Sequence, residues 1–209
     1  MLASHVLIIG HNCFCGGKIL IPAFNIGGVL PPFLGPEPGR DVAEASPYEC
    51  TSEELVDRFL TSNQRGRLLF GLMNFRAALR AAGVIDAMQW IDGSFTENVE
   101  SRGLEPGDVD VVTFLYRPKA VRDDANWGQF VATHQGGFLN RAANKAAYAC
   151  DTMFVDMNVL PHLIVEQAAY WNGLFSHQRR TFQWKGMLCV GLGPNDDGAL
   201  AKLAAGGIQ

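Results

Sequence analysis

Two aspartates separated by one residue stand at the start of an apolar segment in the middle of the chain. Asp108, Val109 and Asp110 lead into the largely apolar run 111–115, which is typical of a buried strand. Residues two apart in a strand point to the same face, so both carboxylates are expected to project together. They repel each other unless a cation lies between them, and Mg²⁺ held by carboxylates and phosphate oxygens suits that position. The pair therefore predicts a magnesium site that acts on a phosphate compound.

A glycine and a serine precede this pair. Gly93 and Ser94 follow the apolar segment 88–91, and Ser94 lies 14 positions before Asp108. Glycine permits close approach of the backbone, while backbone N–H groups and a hydroxyl can donate hydrogen bonds to an anion. We therefore predict that Gly93 and Ser94 bind the phosphates of a ligand, next to the metal ion that the two aspartates hold.

A third carboxylate would allow two metal ions to share the site, one at the attacking oxygen and one at the leaving group. Asp151 and Asp156 both lie in a later strand candidate, 150–159. Because they are five positions apart, they point to opposite faces of a regular strand, and at most one of them can join the pair. The spacing alone leaves both alternatives open.

Composition restricts the classes of protein to which the chain can belong. The 209 residues carry a net charge of -4, with 48% hydrophobic and 18% charged side chains. This balance favours a packed domain and argues against a general nucleic-acid-binding surface. No stretch reaches the roughly 18 apolar residues of a membrane span, so no membrane partner is expected. The five scattered cysteines suit a reducing compartment, and we expect a cytoplasmic protein.

The order of the predicted elements indicates a mixed α/β (α+β) domain with extensions at both ends. Residues 1–50 are interpreted as an N-terminal extension and a Pro/Gly-rich arm without a paired strand. The domain is expected over 51–192, beginning at a capping box formed by Thr51 and Glu54. Helices are expected over most of 119–149 and over 161–175, and a strand within 186–192. Residues 193–209 are interpreted as a C-terminal tail.

Residues 90–95 and 107–112, which contain Gly93-Ser94 and Asp108-Val109-Asp110, resemble the DNA polymerase beta superfamily of nucleotidyltransferases. The pattern of that superfamily is Gly-Ser, a spacer, Asp-x-Asp on the next strand and a third Asp on a later strand. From about 31 to 192 the chain is also similar to a bacterial family of small, mostly uncharacterised proteins with this core. A Cys-Asp pair opens the third strand in that family, so the resemblance favours Asp151 of Cys150-Asp151 over Asp156.

The resemblance implies a mixed sheet flanked by helices and a Mg²⁺-dependent reaction of a nucleoside triphosphate. Asp108, Asp110 and Asp151 would be the metal-binding and catalytic residues. The enzyme would transfer a nucleotidyl group to an acceptor that the resemblance does not identify. Relatives act on nucleic acids, small molecules, second-messenger nucleotides or proteins, and some small members are antitoxins that adenylylate a partner toxin.

One departure from the superfamily leaves a second function open. Glu97 and Glu100 follow Ser94 where many relatives carry Arg or Lys, and an acidic loop would weaken triphosphate binding. Positive charge would then come from elsewhere. Lys185 is predicted to bind the nucleotide with Gly93 and Ser94, Arg102 and Arg117 are further candidates, and Arg179 and Arg180 form either a phosphate-binding pair or a solvated basic rim. The alternative function is a non-catalytic binding module of this fold, such as an antitoxin or immunity partner.

Overall fold

The computed structural model describes residues 21–35 and 44–208. This part of the chain contains a five-stranded mixed sheet. The strands are β1 (Tyr48–Cys50), β2 (Ala87–Asp92), β3 (Val109–Leu115), β4 (Cys150–Asp156) and β5 (Leu188–Gly191). Their order across the sheet is β1-β5-β2-β3-β4. β3 pairs antiparallel with β2 and parallel with β4. The predicted mixed sheet flanked by helices is confirmed.

The helices are α1 (Ser52–Phe59), α2 (Asn63–Ala81), α3 (Asp124–His134), α4 (Arg141–Tyr148), α5 (Pro161–Phe175) and α6 (Asp197–Ala205). The capping box predicted at the start of α1 is confirmed. The Thr51 hydroxyl accepts from the Glu54 N–H, and the Glu54 carboxylate accepts from the Thr51 N–H at 2.8 Å. None of the helices found in residues 21–35 and 44–208 has both the length and the apolar character needed to cross a membrane.

The two faces of the sheet pack against different helices. On β3, Val109, Val111 and Leu115 face the larger core, to which α1, α2 and α6 contribute. Val112 and Phe114 point the other way, into a smaller core closed by α5. Because side chains alternate along a strand, Asp110 lies on the α5 face with Val112. The carboxylate therefore projects just beyond the end of the smaller core.

Two segments that were predicted to lie outside the domain contribute to its core. Part of the predicted arm forms β1, which pairs in parallel with β5. The predicted tail contains α6, where Ala199 and Leu203 are buried. Short alanine-rich helices bury little area per residue, which is why composition alone suggested a tail. Residues 1–20 of the predicted extension and 36–43 of the arm lie outside the described residues.

Candidate active site

The turn after β2 places its glycine directly against Asp110. Gly93 has φ +84° and begins a 3₁₀ turn, Gly93–Thr96. A Cβ atom added at Gly93 would lie 3.0 Å from Cγ of Asp110 and closer still to its Oδ2. Glycine is therefore required here both by the left-handed backbone conformation and by the carboxylate packed over it. The two predicted halves of the site are in contact.

Replacing Gly93 by Ala is expected to destabilise the protein more than the same change at Gly103. Gly103 also has positive φ, +71°, but a Cβ there would meet nothing within 4 Å. Gly103→Ala should therefore lower the free energy of unfolding by about 1–2 kcal/mol, the cost of the left-handed conformation. Gly93→Ala should cost about 1–3 kcal/mol more because it also displaces the Asp110 carboxylate. Chemical denaturation measures both, and equal losses would contradict the close packing.

Strand register aligns three carboxylates across the sheet. Asp110 of β3 is the register partner of Asp92 on β2 and of Asp151 on β4. Asp108 immediately precedes β3, so the sheet brings Asp108, Asp110 and Asp151 together. Burial raises the pKa of Asp110, and the nearby carboxylates of Asp108 and Asp151 raise it further. This is the electrostatic signature of like charges gathered in one partly buried site.

The alternative third carboxylate lies at the far end of the same strand. Asp156 is the register partner of Leu115, five residues beyond Asp151, or about 16 Å along β4. Its Oδ2 accepts a hydrogen bond of 2.7 Å from Nε of Arg117. Arg117, a candidate for phosphate binding, therefore lies with Asp156 at that distant end. Asp151, and not Asp156, neighbours Asp110.

Two basic side chains of α4 reach the carboxylates, and both were missed by the sequence interpretation. Nζ of Lys145 lies 2.6 Å from Oδ2 of Asp108 and 3.7 Å from Oδ2 of Asp151. Arg141 donates hydrogen bonds to both carboxylate oxygens of Asp151, one of them at 2.7 Å. The hydrogen bonds from Arg141 hold the pKa of Asp151 below its usual range. The four-residue spacing of these cations on a helix leading into Cys150-Asp151 was a signal that could have identified them.

Asp108, Asp110 and Asp151 carry the type of side chain found at magnesium sites, but two of them contact the cations of α4. Carboxylate oxygens are the preferred protein ligands of Mg²⁺. In the described ranges, however, no three His, Cys, Asp or Glu side chains converge closely enough to hold a metal ion. Asp108 and Asp151 are directed toward Lys145 and Arg141 instead. The side chains are of the type that holds Mg²⁺, but Asp108 and Asp151 would have to leave these two cations before a metal ion could bind.

Lys185, predicted to bind nucleotide, lies buried behind the Gly93 turn. Its Nζ donates to the Gly93 carbonyl at 3.1 Å and pairs with Asp92 at 3.0 Å and Glu97 at 3.1 Å. Burial raises the pKa of Asp92 to about 7, although Lys185 acts in the opposite direction. These contacts make Lys185 a support of the turn, and its binding of nucleotide stays a prediction.

The acidic loop after Ser94 is neutralised within the protein. Glu97 is buried, and besides Lys185 it accepts hydrogen bonds from Arg102 at 2.9 Å and Gln178 at 2.6 Å. Glu100 pairs with the buried Arg65 at 2.5 Å. Arg65 also donates to the carbonyls of Phe95 and Glu97. The two glutamates therefore hold the loop in place and present little free negative charge to a ligand.

Among the predicted phosphate-binding side chains that are at least partly accessible, Ser94 and Arg179 lie close to Gly93 and Asp110. Ser94 is half-buried in the same turn as Gly93, and Arg179 is exposed. Arg179 lies near enough to Asp110 to oppose the rise in its pKa. Arg180 is also exposed. Of the two interpretations of this basic pair, proximity to Asp110 favours a role in phosphate binding for Arg179.

Comparison with known proteins identifies a family without supplying an activity. The model of a family of unknown function, DUF6932, matches residues 22–191. This range includes every residue of the site, from Gly93 to Lys185. None of the curated proteins and none of the solved structures matches the chain.

Proposed function

Since the chain belongs to the DUF6932 family, whose function is unknown, we propose a function on the geometry of the site. In this proposal the protein is a Mg²⁺-dependent nucleotidyltransferase related to the DNA polymerase beta superfamily. It transfers a nucleotidyl group from a nucleoside triphosphate to an acceptor. One observation carries the proposal: the Gly93 turn packs directly on Asp110, with Asp108 and Asp151 as its neighbours. A glycine turn packed on a set of carboxylates suits the joint binding of a phosphate compound and a cation.

Each residue has a part in the proposed reaction. Asp108, Asp110 and Asp151 would hold Mg²⁺, which would polarise the reacting phosphate and neutralise charge on the departing pyrophosphate. Gly93, which has no side chain, would let the turn approach the phosphate chain closely, and the Ser94 hydroxyl would donate a hydrogen bond. Arg179 supplies positive charge from the exposed side of the site. Arg65 and Lys185 hold the turn and the loop that follows it, so that the donors are oriented before the substrate binds.

The proposal is tested by incubating the full chain with Mg²⁺, nucleoside triphosphates labelled at the α-phosphate, and a cell extract as the source of acceptors. The wild-type protein should transfer label, and Asp110→Asn, which keeps the shape of the side chain, should abolish the transfer. Asp156→Asn is the matched control because it removes a carboxylate from the far end of β4. Transfer that persists in Asp110→Asn would rule out the proposed chemistry.

A second candidate function is favoured by the ion pairs of α4. Lys145 and Arg141 already neutralise Asp108 and Asp151, which is the arrangement expected if the site no longer binds metal. The chain would then be a non-catalytic binding module, such as an antitoxin or immunity partner that acts by contact with another protein. Calorimetry with Mg²⁺ and each nucleoside triphosphate separates the two functions. Tight metal-dependent binding that is lost in Asp108→Asn would exclude the non-catalytic module.

A further inference from the structure

Helix α4 presents two cations to the carboxylates from a single face. Arg141 and Lys145 are one helical turn apart, so their side chains lie side by side. α4 ends at Tyr148, and Cys150 already belongs to β4. Because the connection is this short, it fixes where Arg141 and Lys145 lie relative to Asp151.

The ammonium of Lys145 occupies a bridging position between two carboxylates. It lies 2.6 Å from Asp108 and 3.7 Å from Asp151. A cation held jointly by these two aspartates would have to lie in the same region. Arg141 donates one hydrogen bond to each oxygen of Asp151, so it occupies one lone pair on each of them. A divalent cation held jointly by Asp108 and Asp151 would therefore compete with the Lys145 ammonium for the same position, and with Arg141 for the oxygens of Asp151.

Exposure shows which partners are able to move. The side chain of Lys145 is 56% exposed and that of Arg141 is 64% exposed, whereas those of Asp108 and Asp151 are 23% and 11% exposed. Long, exposed side chains lose little when their heads turn into water, because the stem can change rotamer freely. The carboxylates are held by the sheet. A metal ion would therefore replace Lys145 and Arg141 at the carboxylates by withdrawal of these two side chains, while Asp108 and Asp151 stay in place.

We propose that Lys145 and Arg141 compete with Mg²⁺ for Asp108 and Asp151, so that metal binding releases both cations toward the phosphates of the nucleotide. The inference rests on the proposed function, because it requires a metal at the carboxylates. It assigns to α4 two successive partners: carboxylates in the resting protein and a polyphosphate in the loaded one. Each released cation thereby exchanges its carboxylate partner for a phosphate oxygen of the nucleotide and stays paired.

The test is calorimetric titration of the full chain with Mg²⁺ alone. Lys145→Met should bind Mg²⁺ about tenfold more tightly than the wild-type protein, because a competing charge-assisted hydrogen bond is lost. Arg179→Met is the matched control. It removes one positive charge near Asp110, yet in the chain segments described no hydrogen bond joins Arg179 to Asp108 or Asp151. Its effect should reflect general electrostatics only and remain within about threefold.

A second measurement guards against a folding defect. In the absence of metal, Lys145→Met should have a lower melting temperature than the wild-type protein, since Asp108 loses its partner. Saturating Mg²⁺ should raise the melting temperature of Lys145→Met more than that of the wild type. Only a folded variant can show this larger increase in melting temperature.

The outcomes separate the two proposals. Equal gains in Mg²⁺ affinity for Lys145→Met and Arg179→Met would overturn the competition while leaving the proposed function intact. Mg²⁺ binding that is absent from the wild type and from Lys145→Met, or that survives in Asp110→Asn, would overturn the proposed function and the competition with it.

Discussion

Asp151→Asn is expected to reduce nucleotidyl transfer on the order of 1,000-fold, as loss of a group that stabilises developing charge typically does. The substitution preserves the shape of the side chain and removes the charge beside Asp110. Strand β4 should be little disturbed, because Asp151 lies at its start and contacts the exposed side chain of Arg141. The measurement is the initial rate of label transfer at saturating Mg²⁺ and nucleotide.

Asp156→Asn provides the comparison that gives this result its meaning. Both aspartates belong to β4 and both pair with an arginine, Arg141 in one case and Arg117 in the other. Only Asp151 is in register with Asp110. We therefore expect Asp156→Asn to retain transfer within about twofold of wild type after correction for the folded fraction. A larger loss in Asp156→Asn than in Asp151→Asn would show that the third carboxylate has been assigned wrongly.

Arg76→Met is expected to lower the free energy of unfolding by about 3–5 kcal/mol, because it leaves a buried carboxylate without its main partner. Arg76 is 1% exposed and bonds both oxygens of Asp196, each at 2.9 Å. It also donates to the side chain of Gln89 and to the carbonyls of Gly191 and Leu192. One guanidinium thus connects α2 to β2, to the end of β5 and to the start of α6.

The same helix offers a control for this substitution. Arg67 of α2 is exposed, so Arg67→Met changes charge and shape equally without breaking a buried contact. Its effect should remain within about 0.5 kcal/mol. Denaturant titration of both variants, with comparison of midpoints and slopes, gives the two free energies. A loss below about 1 kcal/mol in Arg76→Met would mean that Arg80, which also pairs with Asp196, takes over the role of Arg76.

Features governed by local chemistry were predictable from the sequence. The start of α1 follows from the reciprocal hydrogen bonds of Thr51 and Glu54, which involve residues three positions apart. The alternation of Asp108, Asp110 and the valines of β3 states directly which residues share a face. Identification of Asp151 needed the Cys-Asp resemblance, because spacing alone could not choose between it and Asp156.

Features that depend on contacts between distant segments were not predictable. The spacing of Arg141 and Lys145 puts both on one face of a helix, but it does not show what they contact, because Asp108 is brought beside α4 only by the parallel pairing of β3 and β4. Lys185 is similar: its partners Asp92 and Glu97 lie about 90 positions earlier in the chain. Helix α6 was interpreted as a tail because its anchor, Asp196, is bound by residues far away in the sequence: Arg76 and Arg80 of α2 and Ser52 of α1.

The register that aligns Asp92, Asp110 and Asp151 constrains how this protein can vary in evolution. Residues 103–107 lie between β2 and β3 outside the paired strands, so a change in their number leaves the pairing intact. Deleting one residue inside β3 before Asp110 would instead turn every following side chain to the opposite face. Core and candidate site would be lost together. Natural selection for a folded sheet therefore also preserves the spacing of the carboxylates, even in a descendant that has no further use for them.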